Sequence, residues 1–236
     1  MVASIFASVI TASAVAMSST ALEGGRGEAV IRSGGAEGLR YLVTASRCAD
    51  RLSTEWRHPD GSLVAAEEVE LADGRWMRYR LRRANVGQDL RAERRGDVVT
   101  ITDASRPGQA TVRLAARGTL LAGPELVAFL QARLVDLRAG RALEFQYLLA
   151  DRGTAVGFVA RGRVVGDETE VALEAASALF RPFVPKTSFS FTADGRLQQV
   201  VGRMLPVLGD AKSQKALDGV LKMGGPQSTC NKKSLS

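Results

Sequence analysis

The chain has 236 residues, of which 45% are apolar and 24% charged. That is an ordinary globular balance, which excludes a disordered chain and allows one large core. The formal charge is +7 and only one histidine is present; five of the six lysines fall after Asp210, so much of the excess belongs to the C-terminal end and arginine is the main cation of the rest.

Residues 1–22 carry no charge and end in Ala14-Val15-Ala16 or Ser19-Thr20-Ala21, small-x-small patterns that suit a signal-peptidase site. An export signal is expected here, with an N-terminal anchor as the alternative; seven Ser or Thr residues make the segment a weak membrane span. Residues 23–38 contain six glycines and no apolar period, so a glycine-rich linker is expected, followed by a single β-rich domain over 39–209.

Within that domain, residues 51–58 and 62–71 read as a hairpin about Pro59-Asp60-Gly61, and Asp73-Gly74 turns into a strand over 75–83. Simple alternation there would put Trp76, Arg78, Arg80 and Arg82 on one face and Met77, Tyr79 and Leu81 on the other. Strands over 88–95, 98–102 and 110–116 continue at roughly ten-residue spacing, as an up-and-down meander requires. Residues 124–138 break the pattern. Pro124 and Glu125 suit a first helical turn, Leu126, Leu130, Leu134 and Leu137 repeat along one face, and Arg138 and Gly140 suit the end. One amphipathic helix is expected, widened by Val127 and Phe129 and packed on the sheet.

Residues 141–149 alternate strictly, with Leu143, Phe145, Tyr147 and Leu149 to one side. Strands follow over 155–165, 168–175, 187–192 and 197–203, with Phe180, Pro182, Phe183 and Pro185 interrupting the period as a loop. From Asp210 the composition shifts to lysine, and residues 210–236 read as a basic, flexible tail that anionic lipid or nucleic acid would attract without specificity. The fold class is therefore mainly β: a curved antiparallel meander or half-barrel with one principal helix.

The chain lacks a phosphate-binding loop, a nucleophile elbow, a zinc-binding His-Glu-x-x-His and a dinucleotide glycine fingerprint. The lone histidine, His58, sits beside a turn, which suits solvation better than a catalytic triad. No metal or other cofactor is expected: one histidine and two distant cysteines do not make a zinc set, and Glu67, Glu68 and Glu70 read as a solvated strand edge. Cys48 and Cys230 would be thiols in a reducing compartment and could pair in an oxidising one; a buried Cys48 beside a solvent-exposed Cys230 is the other reading. Arg78, Arg80 and Arg82 would either pair with cross-strand carboxylates or contact an anionic lipid or protein partner; nucleic acid is not the expected partner, because neighbouring Asp89 and Glu93 offset the field.

Gly123-Pro124-Glu125-Leu126-Val127-x-Phe129, Leu137-x-x-Gly140, Leu143-x-Phe145, Val156-Gly157-Phe158 and Phe189-x-Phe191 with Asp194-Gly195-Arg196 resemble a group of poorly characterised bacterial cell-envelope proteins. The layout is similar to that of the periplasmic half-barrel lipoprotein carriers, and the resemblance implies a sheet and a helical lid enclosing an apolar cavity, with no catalytic residue. The expected function is thus a non-catalytic, exported or periplasmic envelope protein. It would bind a lipid-like ligand lined by Leu126, Phe129, Leu130, Leu134, Phe145, Tyr147 and Phe158. The alternative is an accessory subunit that docks on a membrane complex through its arginine face or basic tail.

Overall fold

Alternating apolar residues interrupted by tight turns place most of the chain in one antiparallel sheet. The computed structural model describes residues 25–106, 108, 111–179, 184–210 and 213–224. The first half forms β1 (Gly25–Ser33), β2 (Arg40–Cys48), β3 (Arg51–Arg57), β4 (Leu63–Ala72), β5 (Arg75–Arg83), β6 (Gln88–Arg95), β7 (Val98–Asp103) and β8 (Val112–Ala115). Then come β9 (Leu120–Leu121), α1 (Glu125–Ala132), α2 (Leu134–Arg138), β10 (Leu143–Leu149), β11 (Thr154–Val165), β12 (Glu168–Ala175), β13 (Thr187–Phe191), β14 (Leu197–Gly209) and β15 (Gln214–Met223).

The fifteen strands lie in the order β8 to β1, then β15 back to β9. Each half is a meander of neighbours in sequence, and the β1–β15 ladder joins the two halves in the middle of the sheet. All pairs are antiparallel except the short β9–β10 pair at one edge. Turn chemistry agrees with the local sequence: Asp73 and Gly74 both take positive φ, as a two-residue hairpin turn demands. At the 58–62 turn the His58 N–H donates to the Ser62 carbonyl and the Asp60 carboxylate accepts from the Ser62 N–H.

Two expected boundaries are corrected. The glycine-rich linker over 23–38 is largely strand β1, and the basic tail from 210 contributes strand β15. Their glycines serve close packing: a Cβ on Gly27 would lie 2.4 Å from the Lys222 carbonyl oxygen, and one on Gly219 would lie 2.5 Å from the Val30 carbonyl oxygen. The expected signal or anchor over 1–22 lies outside the described residues, as do Phe180, Pro182, Phe183 and the chain after 224.

The expected alternation along β5 is also corrected. Glu70 pairs with Arg78 but Leu71 pairs with Trp76, so Met77 is an extra residue in a β-bulge. The bulge shifts the phase by one residue. Trp76, Tyr79, Leu81 and Arg83 turn inward, whereas Met77 and Arg78 are exposed.

The helical segment is two helices rather than one. Arg133, with φ −114° and ψ 14°, breaks the run between Ala132 and Leu134, and Pro124 precedes α1 as its cap. Leu130, Leu134 and Leu137 pack with Phe145, Ala160, Val171, Leu173, Phe189 and Phe191 on the inner face of the C-terminal half. A second buried cluster joins β5, β6 and β7 to β9 through Trp76, Tyr79 and Leu120, and a third joins β1 to β4 with β14 and β15 around Tyr41, Trp56 and Leu217. Arg138 pins the end of α2 by donating to the Thr169 hydroxyl at 2.7 Å and to the carbonyls of Thr192 and Ala193. Among the described residues no helix is long and apolar enough to cross a membrane.

Close approach of α2 to β11 depends on Gly162, where a Cβ would lie 2.6 Å from the Leu137 carbonyl oxygen. Gly162→Ala should therefore lose roughly 1–3 kcal/mol in urea unfolding followed by tryptophan fluorescence. Val135→Ala, on the exposed side of the same helix, should stay within about 0.5 kcal/mol of the parent; equal losses would refute the packing account.

Candidate ligand cavity

A curved sheet of this width encloses more space than its side chains and two short helices fill. The remainder is a cavity of about 1260 Å³ between the helical segment and the sheet, larger than the roughly 300–1,000 Å³ of ordinary small-molecule sites. Of the residues expected to line it, Leu126 of α1, Phe145 and Tyr147 of β10 and Phe158 of β11 do so. Leu130 and Leu134 lie beneath, buried between helix and sheet. Phe129 packs its ring 5.5 Å from that of Phe145, whose other neighbour is Phe158 at 6.0 Å. The leucine stripe thus divides: its later members seal the helix to the sheet, and its first member faces open space. Trp56, Leu81 and Leu205 extend the apolar wall on the far side.

Polar groups enter this wall where the β5 bulge sends Arg83 inward. Arg83 is buried. Its Nη1 donates to Gln88 Oε1 at 3.0 Å, Gln214 Oε1 at 3.1 Å and Asp151 Oδ2 at 3.2 Å, and its Nε donates to the Leu205 carbonyl at 3.2 Å. One guanidinium therefore ties β5 to β6, β14, β15 and the turn after β10. Asn85 adds a second tie by donating to the Val207 carbonyl.

Nearby, the Tyr79 hydroxyl donates to Glu67 Oε1 at 2.6 Å. Burial pushes the Glu67 carboxyl above the ordinary carboxylate range, against the Tyr79 hydrogen bond and the Arg83 charge, which pull it down. Burial and the Glu67 charge hold both Tyr79 and Tyr147 well above an ordinary phenol, so both are neutral at physiological pH. Glu67 was expected on a solvated edge with Glu68 and Glu70. It faces the cavity instead, while those two pair outward with Arg51.

Where α1 begins, the Trp76 indole N–H donates to the Leu120 carbonyl at 2.9 Å and Glu125 accepts from the Ala122 N–H at 3.1 Å. Burial pushes Glu125 up to about 7, opposed by the Ala122 N–H, the Arg94 charge and the Trp76 backbone. The packing is tight, since a Cβ on Gly123 would lie 2.7 Å from the Tyr79 ring.

On the outer face, Arg78 pairs with Glu70 at 3.1 Å and Arg80 with Asp89 at 2.8 Å, while Arg82 is half-buried in register with Ala66 and Asp89. Two of the three expected anion contacts are thus occupied by cross-strand carboxylates. His58 packs its ring 5.4 Å from that of Tyr41 at the turn. Cys48, at the end of β2, is disulfide-bonded; Cys230, the other cysteine of the sequence, lies outside the described residues. Among the described residues no cluster of three or more His, Cys, Asp or Glu side chains could hold a metal ion.

Among solved structures, the chain is similar to the crystal structure of a β-barrel-like protein of Domain of Unknown Function DUF1849 from Brucella abortus. The identity is 12% over 86% of this chain and 98% of that one, with a TM-score of 0.49. No family model and no curated protein matches the chain.

Because the folded state raises the Glu125 pKa, it binds that proton more tightly than the unfolded chain does. The stability this contributes is complete below the ordinary carboxylate range and is lost as pH rises through about 7. The parent should lose on the order of 3 kcal/mol or less across that window. Glu125→Gln, which keeps the accepting oxygen, should flatten the dependence in urea titrations at pH 5, 6, 7 and 8; an unchanged profile would rule out Glu125 as its source.

Proposed function

We propose that the chain is an exported, non-catalytic envelope protein that holds a lipid-like or other apolar ligand between its sheet and its helical segment. The observation that carries the reading is the cavity of about 1260 Å³, walled by Leu126, Phe145 and Phe158 and by Trp56 and Leu81 opposite. An apolar wall of that area is costly to leave hydrated, and an acyl chain would relieve that cost at about 0.8 kcal/mol per buried methylene. The enclosing layout is also what the resemblance to the half-barrel lipoprotein carriers implies. Export is supported by the uncharged stretch over 1–22 and by the disulfide at Cys48, a bond that persists in oxidising compartments. An accessory subunit docking through the arginine face has less support, because Arg78 and Arg80 are already bonded to Glu70 and Asp89.

Native mass spectrometry of protein purified from its own envelope should show a bound species in the mass range of a lipid. Leu126→Arg, which places a charge in the cavity wall while leaving the buried Leu130 and Leu134 in place, should abolish it with the circular dichroism spectrum unchanged. A ligand-free parent that also fails to take up added lipid would refute the reading. For the export component, thiol titration of the same protein under denaturing conditions should find no free thiol before reduction and two after it; two free thiols at the start would argue for a reducing compartment.

A further inference from the structure

The cavity is not uniformly apolar, and its polar groups are only partly satisfied. Arg83 uses Nη1 and Nε on four acceptors, but its Nη2 has no acceptor among the described residues. The Tyr147 hydroxyl also has no hydrogen-bond partner there, and both residues line the cavity. Neither atom is counted with the fully buried polar atoms that lack a partner, of which the described residues hold one, Gln131 Oε1. Glu67 and Asp151 are close enough for their charges to act on Tyr147. A buried guanidinium with an unbonded edge is a costly arrangement to leave without a partner, and this one lines the cavity.

Resting on the lipid-binding reading above, we propose that Arg83 and Tyr147 form a head-group subsite for a carboxylate, the ligand class being an unesterified long-chain fatty acid. Three features select this class. The open groups are donors, namely the Arg83 Nη2 hydrogens and the Tyr147 hydroxyl. An ammonium head would be driven against the Arg83 guanidinium, whose other edge is already fixed by Asp151. A phosphate monoester would bring a second negative charge against the Asp151 carboxylate, whereas a carboxylate brings one. The chain would then run from this cluster along Phe145 and Phe158 towards Leu126.

The test uses the full-length protein, stripped of bound lipid on a hydrophobic resin, and fluorescence titration with cis-parinaric acid and with its methyl ester. The acid should bind at least about tenfold more tightly than the ester, the ratio expected of one charge-assisted hydrogen bond. Tyr147→Phe should weaken the acid several-fold and leave the ester unchanged; the lost hydroxyl has no partner among the described residues, so folding is not at stake. Displacement by dodecanoate should be more effective than by dodecylamine or dodecyl phosphate. Equal affinity for acid and ester, or stronger displacement by the amine or the phosphate, would overturn the head-group assignment while leaving the cavity a lipid site. Failure to bind either probe would overturn the lipid-binding reading itself.

Discussion

A single sheet with one apolar face has to find something to bury that face against, and everything else in this molecule follows from how it does so. Fifteen strands give a surface too broad for one short helical segment to cover. The sheet therefore curves until its own inner faces approach. β5 meets the β9 strand through the Trp76–Leu120 hydrogen bond, and meets β14 through Arg83 and its acceptor at Leu205. The helices fill the C-terminal half, where Leu130, Leu134 and Leu137 sit on Phe145 and Val171. Among the described residues no α-helix lies against β2, β3 and β4, and residues of those strands line the cavity. Space between sheet and helix is thus a consequence of sheet width and helix length together.

Local patterns reveal what depends on neighbours in sequence. The leucine spacing from Leu126 to Leu137, the strict alternation of β10 and the Asp73-Gly74 turn could all be read without a structure, and the hairpins they imply are present. The pairing of β1 with β15 could not. It joins residues from opposite ends of the chain, and both strands carry glycines that look like linker because glycine has no side chain to show a period. Those glycines are there because a neighbouring backbone passes too close for a Cβ. A composition shift to lysine likewise says nothing about pairing: Lys215 and Lys222 lie on a strand whose alternate residues, Leu217 and Leu221, are buried in the core.

The site was half legible for a related reason. Leu126, Phe145, Tyr147 and Phe158 are apolar or aromatic residues at the right period, and the sequence places them on the inner face. The polar members were hidden by phase. Strict alternation counts Arg83 with Met77 and Tyr79 but assigns no inside or outside to that set, and it puts Trp76 with the outward arginines; the bulge at Met77 reverses Trp76 and fixes Arg83 as internal. Glu67 was obscured by its neighbours, since a run of three glutamates within four residues reads as a solvated edge. In a strand, however, positions 67 and 68 face opposite sides, and only Glu68 and Glu70 find arginine partners outside.

Why the fold keeps such a cluster inside is an energetic question. A buried arginine that satisfies four acceptors on four different segments gains specificity: any slip of β14 or β15 against β5 would strand a charge without partners, at a cost of several kcal/mol. Arg83 therefore acts as a register pin for a sheet whose width makes register errors numerous. A pin of that kind needs only the acceptors it has. The Nη2 edge and the Tyr147 hydroxyl, which has no partner among the described residues, add nothing to register. Structural demand accounts for the bonds Arg83 makes and leaves these two groups unexplained, and it is on this remainder that the proposed head-group subsite rests.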